Sequence, residues 1–290
     1  MTMLEVKLTN DEAFKRLFVE DTDVLTLFLS TVLDIPRDEF SDLVIDNPEV
    51  LPKVNDDKLC RLDIHVSAAG RLIDIEMQLG DKSYFRERSL YYWSDMFVKS
   101  LHSGQKYSEL KQTIAINVLG YNTFDSGEFH SVFRLHENKT GELLTDRLAI
   151  HFIELKKVPE PTETINLLEA FARLLSATTY EELDEIEALE VTELSKAVSH
   201  LRVMNADDIL KERIRLQEKA AHDYASDLGE ARNEGKTEGL VEGRIEGRIE
   251  GKAESKIEMV KLMYRNGATI DQISKLVELP LSEVVGILDL

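Results

Sequence analysis

Three acids fall at alternating positions in two short extended runs. Asp63 lies in Arg61-Leu62-Asp63-Ile64-His65-Val66-Ser67, and Asp74 and Glu76 lie in Leu72-Ile73-Asp74-Ile75-Glu76-Met77-Gln78-Leu79. Carboxylates gathered on one surface bind hard divalent cations through oxygen, and an ion held in that way makes a nucleophile of water near neutral pH. Apolar–polar alternation predicts half-buried strands, and the short Ala68-Ala69-Gly70-Arg71 connection predicts a hairpin. With Ala69 and Gly70 as the loop residues, paired residue numbers sum to 139. Leu62 then faces Met77, Ile64 faces Ile75 and Val66 faces Ile73 on an apolar side. On the polar side Arg61 faces Gln78, Asp63 faces Glu76 and His65 faces Asp74. Like charges opposed across strands are destabilising, and a divalent cation is the simplest compensation. An ordinary solvated strand face fits the same residues, and the spacing alone leaves both readings open. Ala-Gly is not the favoured Asn-Gly turn, and a one-residue slip moves every side chain to the other face.

These runs sit in a chain of 290 residues, 43% hydrophobic and 31% charged, the profile of an ordinary soluble protein of about two domains. The start, Met-Thr-Met-Leu-Glu-Val-Lys, lacks a signal peptide pattern, and no apolar run reaches membrane-spanning length. A single cysteine, Cys60, excludes an internal disulfide and a cysteine-based zinc cluster. The expectation is a cytoplasmic protein that makes no membrane contact. Lys plus Arg number 35 against 55 Asp plus Glu, a net charge of -20, which opposes generic affinity for nucleic acid. The balance is local, however. Six bases (Lys82, Arg86, Arg88, Lys99, Lys106, Lys111) meet three acids between residues 82 and 111, whereas 181–193 holds seven acids and no base. A nucleic-acid surface beside the hairpin is therefore permitted.

The elements that must position the acids follow from periodicity. Thr9-Asn10-Asp11-Glu12 opens a helix with Thr9 as its cap, and Phe14, Leu17 and Phe18 form the apolar stripe. A second helix over 22–33 carries Leu25, Phe28, Leu29, Val32 and Leu33 on one face and is ended by Pro36. Residues 43–51 read as a strand or an ordered loop. Residues 84–103 are helical and aromatic, and we expect this helix to cover the Leu62/Ile64/Val66 face. Further strands are predicted over 112–119 and 151–155, and helices throughout the region beyond Thr162.

A repeat of Glu-Gly-x-x places Gly235, Gly239, Gly243, Gly247 and Gly251 four residues apart. Each glycine costs a helix about 1 kcal/mol relative to alanine, so a helical reading requires compensating contact, and a flexible charged linker is the alternative. We read a self-association helix, with Glu and Arg/Lys spaced for i,i+4 support. Thr269 and Ser282 are predicted caps of two short terminal helices, a packing unit whose second helix, 283–290, carries no Lys, Arg, Asn or Gln to read bases. The expected organisation is 1–160 as the sheet domain, 161–231 as a helical region, 232–256 as repeat and 257–290 as a helix-turn-helix-like unit.

Asn10-Asp11-x-x-Phe14-Lys15, Arg61-Leu62-Asp63-Ile64, Ile73-Asp74-Ile75-Glu76-Met77-Gln78, Tyr91-Tyr92-Trp93-Ser94 and Phe152-Ile153-Glu154-Leu155-Lys156, in this order, resemble one family. It is the bacterial recombination-promoting nuclease/transposase family of the PD-(D/E)xK nuclease superfamily, and the resemblance extends into the glycine–glutamate tail. It implies an α/β fold, a restriction-endonuclease-like mixed sheet flanked by helices and followed by an all-helical C-terminal region. It further implies a Mg²⁺- or Mn²⁺-dependent DNA endonuclease of low sequence preference, tied to recombination or transposition-like processes. Asp63, Glu76 and the backbone carbonyl of Met77 match its metal ligands, and Asp11 or Glu12 its first-helix acid. Gln78 stands where the superfamily usually has lysine, and Arg61, opposite it in the register above, could supply the missing charge. DNA and a second copy of the chain are the implied partners. The competing reading is a non-catalytic acidic assembly protein that has kept the fold, for which the net charge and Gln78 speak. A two-carboxylate glycosidase is disfavoured, because the aromatics fall at core-like helical spacing rather than as the lining of a sugar cleft.

Overall fold

A computed structural model describes residues 2–46, 64–80, 84–160 and 165–289. The hairpin forms in the anticipated register. β2 (Ile64–Ala68) and β3 (Arg71–Gln78) are antiparallel, with Ile64 opposite Ile75, His65 opposite Asp74 and Val66 opposite Ile73. Ala69 (φ 50°) and Gly70 (φ 71°) are both left-handed, the turn conformation that matches strand twist. An alanine is strained there, and its N–H donates to Asp42 Oδ1 at 2.7 Å. Arg61, Leu62 and Asp63 lie outside the described residues, as does most of the 43–51 segment.

The sheet has six strands in the order β1-β2-β3-β4-β6-β5. β1 (Val44–Ile45) and β5 (His130–Phe133) are antiparallel edges, while β4 (Gln112–Leu119) and β6 (Leu148–Glu154) run parallel to β3. β4 and β6 are apolar along nearly their whole length, as parallel strands covered on both faces must be. β5 escaped prediction because four residues are too few for alternation to register.

One face carries Ile64, Val66, Ile75 and Ile116 and is covered by α1 (Asp11–Glu20), α2 (Thr22–Leu33), α4 (Leu167–Ser176), α5 (Tyr180–Glu187) and α6 (Thr192–Ala206) in a single core. Phe14, Phe18, Phe28 and Phe171 form a chain of ring contacts at 5.0–5.4 Å that binds α1, α2 and α4 together. The cap of α1 is Asn10, which accepts from Glu12 N and Ala13 N, not Thr9. Asn10 stands one residue nearer the helix, and its amide oxygen reaches the first free N–H groups.

The aromatic helix α3 (Phe85–Lys99) packs on the opposite face from the one expected. Phe85, Trp93 and Phe97 meet Ala115, Ile150 and Phe152. Alternation on β3 alone made this face look polar. Because β4 and β6 are apolar on both sides, it holds an apolar pad beside the acidic row, and the first face is already filled by five helices. Tyr84 and Tyr91 remain exposed rather than packing.

The chain divides into compact units 1–216 and 217–290. α7 (Asp208–Arg265) is one continuous helix through the glycine repeat. The predicted i,i+4 ion pairs do not exist in it, because acids and bases in the repeat are two or six residues apart. In the second unit Val260 packs with α8 (Ile270–Val277) and α9 (Leu281–Ile287). Thr269 caps α8 as predicted, with Gln272 completing the box. α9 starts after Pro280 with no side-chain cap, so Ser282 is inside it. Proline's fixed φ supplies the entry geometry instead.

Candidate metal-dependent nuclease site

Directly paired residues in neighbouring strands share a face, so Asp74, Glu76 and Gln78 of β3 project toward α3 together with Asn117 of β4 and Phe152 of β6. Glu76 is 6% exposed. A carboxylate withdrawn that far from water requires a positive partner, and α3 delivers one. Arg88 Nη2 donates to Glu76 Oε1 at 2.5 Å and to Gln78 Oε1 at 2.8 Å.

The guanidinium is fixed by its surroundings. Arg88 lies over the ring of Phe85, one helical turn back, at 4.6 Å, and Phe85 itself wedges between Tyr121 and Phe152. Trp93 Nε1 donates to Thr113 O at 2.7 Å, which ties the far end of α3 to β4. Gln78 is engaged at both ends, since its Nε2 donates to Gly80 O at 3.1 Å. It therefore orients Arg88 instead of presenting an amide outward. One row along the strand, His65 Nδ1 stands 3.1 Å from Asp74 Oδ1.

The loop after β4 closes down on the end of β3. Gly120 N donates to Gln78 O at 2.9 Å, and a Cβ on Gly120 would come within 3.2 Å of Leu79 Cα. Glu154, fully buried at the end of β6, takes the N–H groups of Thr123 and Phe124 and the ammonium of Lys157 at 2.7 Å. Arg86 reaches the carbonyl of Thr123 and stacks on Phe124. Thus Glu154, one of the residues carrying the family resemblance, is spent on loop structure. Arg86, Arg88 and Lys99, bases of the locally positive segment, are bound to Thr123, Glu76 and Asp95.

Of the predicted site residues, β3 and α3 bring together Glu76 and Gln78. The Met77 side chain is in the core on the other face, and its backbone pairs with Val118. Glu12, 2% exposed, is held by Arg213 Nη1 at 2.7 Å in the helical layer of that other face, while Asp11 is exposed. Asp63 and Arg61 fall outside the described residues. Among the described residues no group of three or more His, Cys, Asp or Glu side chains is arranged to hold a metal. The donor chemistry on β3, oxygen with no thiolate, fits a hard cation such as Mg²⁺ or Mn²⁺. Arg88 was missed by sequence reasoning: its membership of the basic segment was visible, but not that α3 lies on the acidic face.

On the opposite face His130 Nε2 and His151 Nδ1 are 3.0 Å apart with stacked rings. Burial first, then the neighbouring His130 and Arg134, pushes the His151 pKa down to about 3, and burial lowers that of His130. Both imidazoles are thereby held neutral, with one proton between them.

A buried carboxylate near the C-terminal ends of parallel strands, gripped by a cation from the crossover helix, is where open α/β sheets place their chemistry. Over residues 8–231 the sequence matches the family described as PD-(D/E)XK nuclease family transposase. No curated protein and no solved structure matches it. With that match spanning most of its length and the mixed, helix-flanked sheet in place, the chain belongs to the PD-(D/E)XK nuclease family transposases.

Proposed function

We propose that the protein is a Mg²⁺- or Mn²⁺-dependent deoxyribonuclease that hydrolyses phosphodiester bonds with low sequence preference in recombination or transposition-like processes. The observation that carries this reading is Glu76, buried on β3 with Gln78 and Arg88 beside it. Asp63 would be the second carboxylate. Its support is the register, since every described pair of the hairpin obeys the relation that sets Asp63 against Glu76. The bound cation would supply a water acidic enough to attack at neutral pH and charge to offset that gathering on the phosphoryl oxygens.

The chain's own residues do the rest. Glu76 and Asp63 hold the ion, with the Met77 carbonyl as a further ligand. Gln78 keeps Arg88 in place, and Arg88 supplies the positive charge that lysine gives elsewhere in the superfamily, with Arg61 a second source. Glu12, held by Arg213 in the helical layer of the other face, and the exposed Asp11 are left out of this set. DNA is the proposed substrate, which places the work in the cytoplasm, and a second copy of the chain, met through the glycine–glutamate repeat, is the proposed partner. Among the described residues no helix is long and apolar enough to cross a membrane.

One observation favours a second reading, a non-catalytic assembly protein: Glu76 is already neutralised by Arg88 at 2.5 Å. Nicking of supercoiled plasmid separates the two. The nuclease reading expects Mn²⁺-dependent nicking that Asp63→Ala and Glu76→Gln each reduce by at least about 100-fold, the usual scale for losing a group that stabilises the transition state. No nicking in any of the three would favour the assembly reading, and equal nicking in all three would dispose of the assignment to Asp63 and Glu76.

A further inference from the structure

The charges of the α7 repeat are arranged so that one helix cannot use them. Acids stand at every fourth position from Glu234 to Glu254, and bases at Lys236, Arg244, Arg248, Lys252 and Lys256. Every acid is two, six or more residues from every base, whereas side chains meet on a helix at three and four. The i,i+4 neighbours are Glu with Glu and Arg with Arg or Lys, which weakens an isolated helix. Among the described residues the acid–base contact furthest along the chain is His222 with Asp223, before the repeat begins.

Between the two charged rows runs an apolar one. Val241, Ile245 and Ile249 are each more than half exposed. Ile245 has Glu242 three residues before it and Arg248 three after, and Ile249 has Glu246 and Lys252 in the same places. The apolar row is therefore bordered by acid along one side and base along the other. The glycines lie elsewhere: Gly243 and Gly247 are two residues from the row, about 200° around the helix, and a Cβ on either would meet nothing within 4 Å.

We propose that this face pairs with the same face of a second copy of the chain, in the parallel sense, with each Glu row lying against the partner's Arg/Lys row. The inference rests on the proposed self-association and adds its contact row, direction and charge pairing. Two-fold symmetry decides the direction. A two-fold axis along the helices turns the acid border of one copy onto the basic border of the other on both sides of the seam. A two-fold axis across them, the antiparallel arrangement, sets Glu against Glu and Arg against Arg. Pairing thus converts like-charge neighbours into charge-complementary ones while removing Val241, Ile245 and Ile249 from water. Rows of step four incline to the helix axis, so two of them mesh when the helices cross at about −50°, which confines the contact to a few turns.

Sedimentation of the full-length chain tests this. The wild type should run at twice the mass of one chain and dissociate between about 0.1 M and about 1 M sodium chloride, where the screening length falls from about 10 Å to about 3 Å. A chain carrying Glu238→Arg, Glu242→Arg and Glu246→Arg, and one carrying Arg244→Glu, Arg248→Glu and Lys252→Glu, should each be monomeric with helical circular dichroism retained. Mixed, they should form a one-to-one dimer. Val241→Cys and Ile249→Cys, introduced singly in a Cys60→Ser chain, should both cross-link to their own copies under mild oxidation, which an antiparallel seam centred on Ile245 does not allow. Gly243→Ala with Gly247→Ala should leave the dimer intact. A monomeric wild type would overturn both the self-association and this inference. A dimer indifferent to charge reversal, or one abolished by the alanines, overturns the inference alone. A monomer whose Arg244→Glu, Arg248→Glu form loses affinity for duplex DNA would likewise overturn both, since the basic row would then face phosphates.

Discussion

Arg88 Nη2 lies 2.5 Å from Glu76 Oε1, so the acid expected to bind metal already has a cation on it, supplied by the helix that follows its strand. Replacing Arg88 by Ala takes its guanidinium away from a buried carboxylate, and breaking a buried pair costs about 3 kcal/mol. A metal ion bound to Glu76 would recover much of that. Thermal melting of Arg88→Ala should show a clear loss of stability that shrinks on adding Mn²⁺, alongside nuclease activity down by about 100-fold. Arg88→Lys, which keeps charge but loses the planar fork, should lie between the two. A melting loss unaffected by Mn²⁺ argues against a shared site.

The hairpin turn offers a gain in stability. Ala69 sits at φ 50°, where asparagine is tolerated and alanine is not. Ala69→Asn should stabilise the fold by about 0.5–1 kcal/mol, a melting shift of roughly 2–4 °C for a unit of this size. Gly70→Ala, at φ 71°, should destabilise by a similar amount. Differential scanning calorimetry of the two variants checks the pair of signs.

His151 predicts an acid-sensitive fold. Its folded pKa of about 3 lies below the ordinary 6.5, so the unfolded chain takes up a proton that the native one refuses. Stability from this residue is whole above pH 6.5 and declines as pH falls toward 3, on the order of 4 kcal/mol in total. His130, lowered in the same direction by burial, adds to it. Denaturant midpoints measured across that range should fall less steeply for His151→Gln than for wild type. Parallel profiles would contradict the assignment.

The hairpin was legible because its two faces differ: Ile64, Val66, Ile73 and Ile75 could only be one side, and that fixed the register. α2 and β4 matched their predicted spans for a related reason, unbroken periodicity between clear stops. The side on which α3 packs was not legible. Reading it required knowing that Ala115, Ile150 and Phe152 make an apolar pad next to Asp74 and Glu76, a property of three strands together. Arg88 was hidden with it. Glu154 and Lys157 could be read as chemistry from sequence, and only burial with the Thr123–Phe124 loop reveals them as a staple. Asn10 in place of Thr9 is a shift of one residue that capping signals do not resolve.

The central claim is that Asp63 and Glu76 share one ion. Calorimetric titration of Mn²⁺ into wild type, Asp63→Asn, Glu76→Gln and the double variant measures it directly. The account predicts one ion per chain in wild type, its binding lost in either single variant, and no further loss in the double. Binding that survives either substitution undiminished, or a wild type that takes up no Mn²⁺, would contradict it.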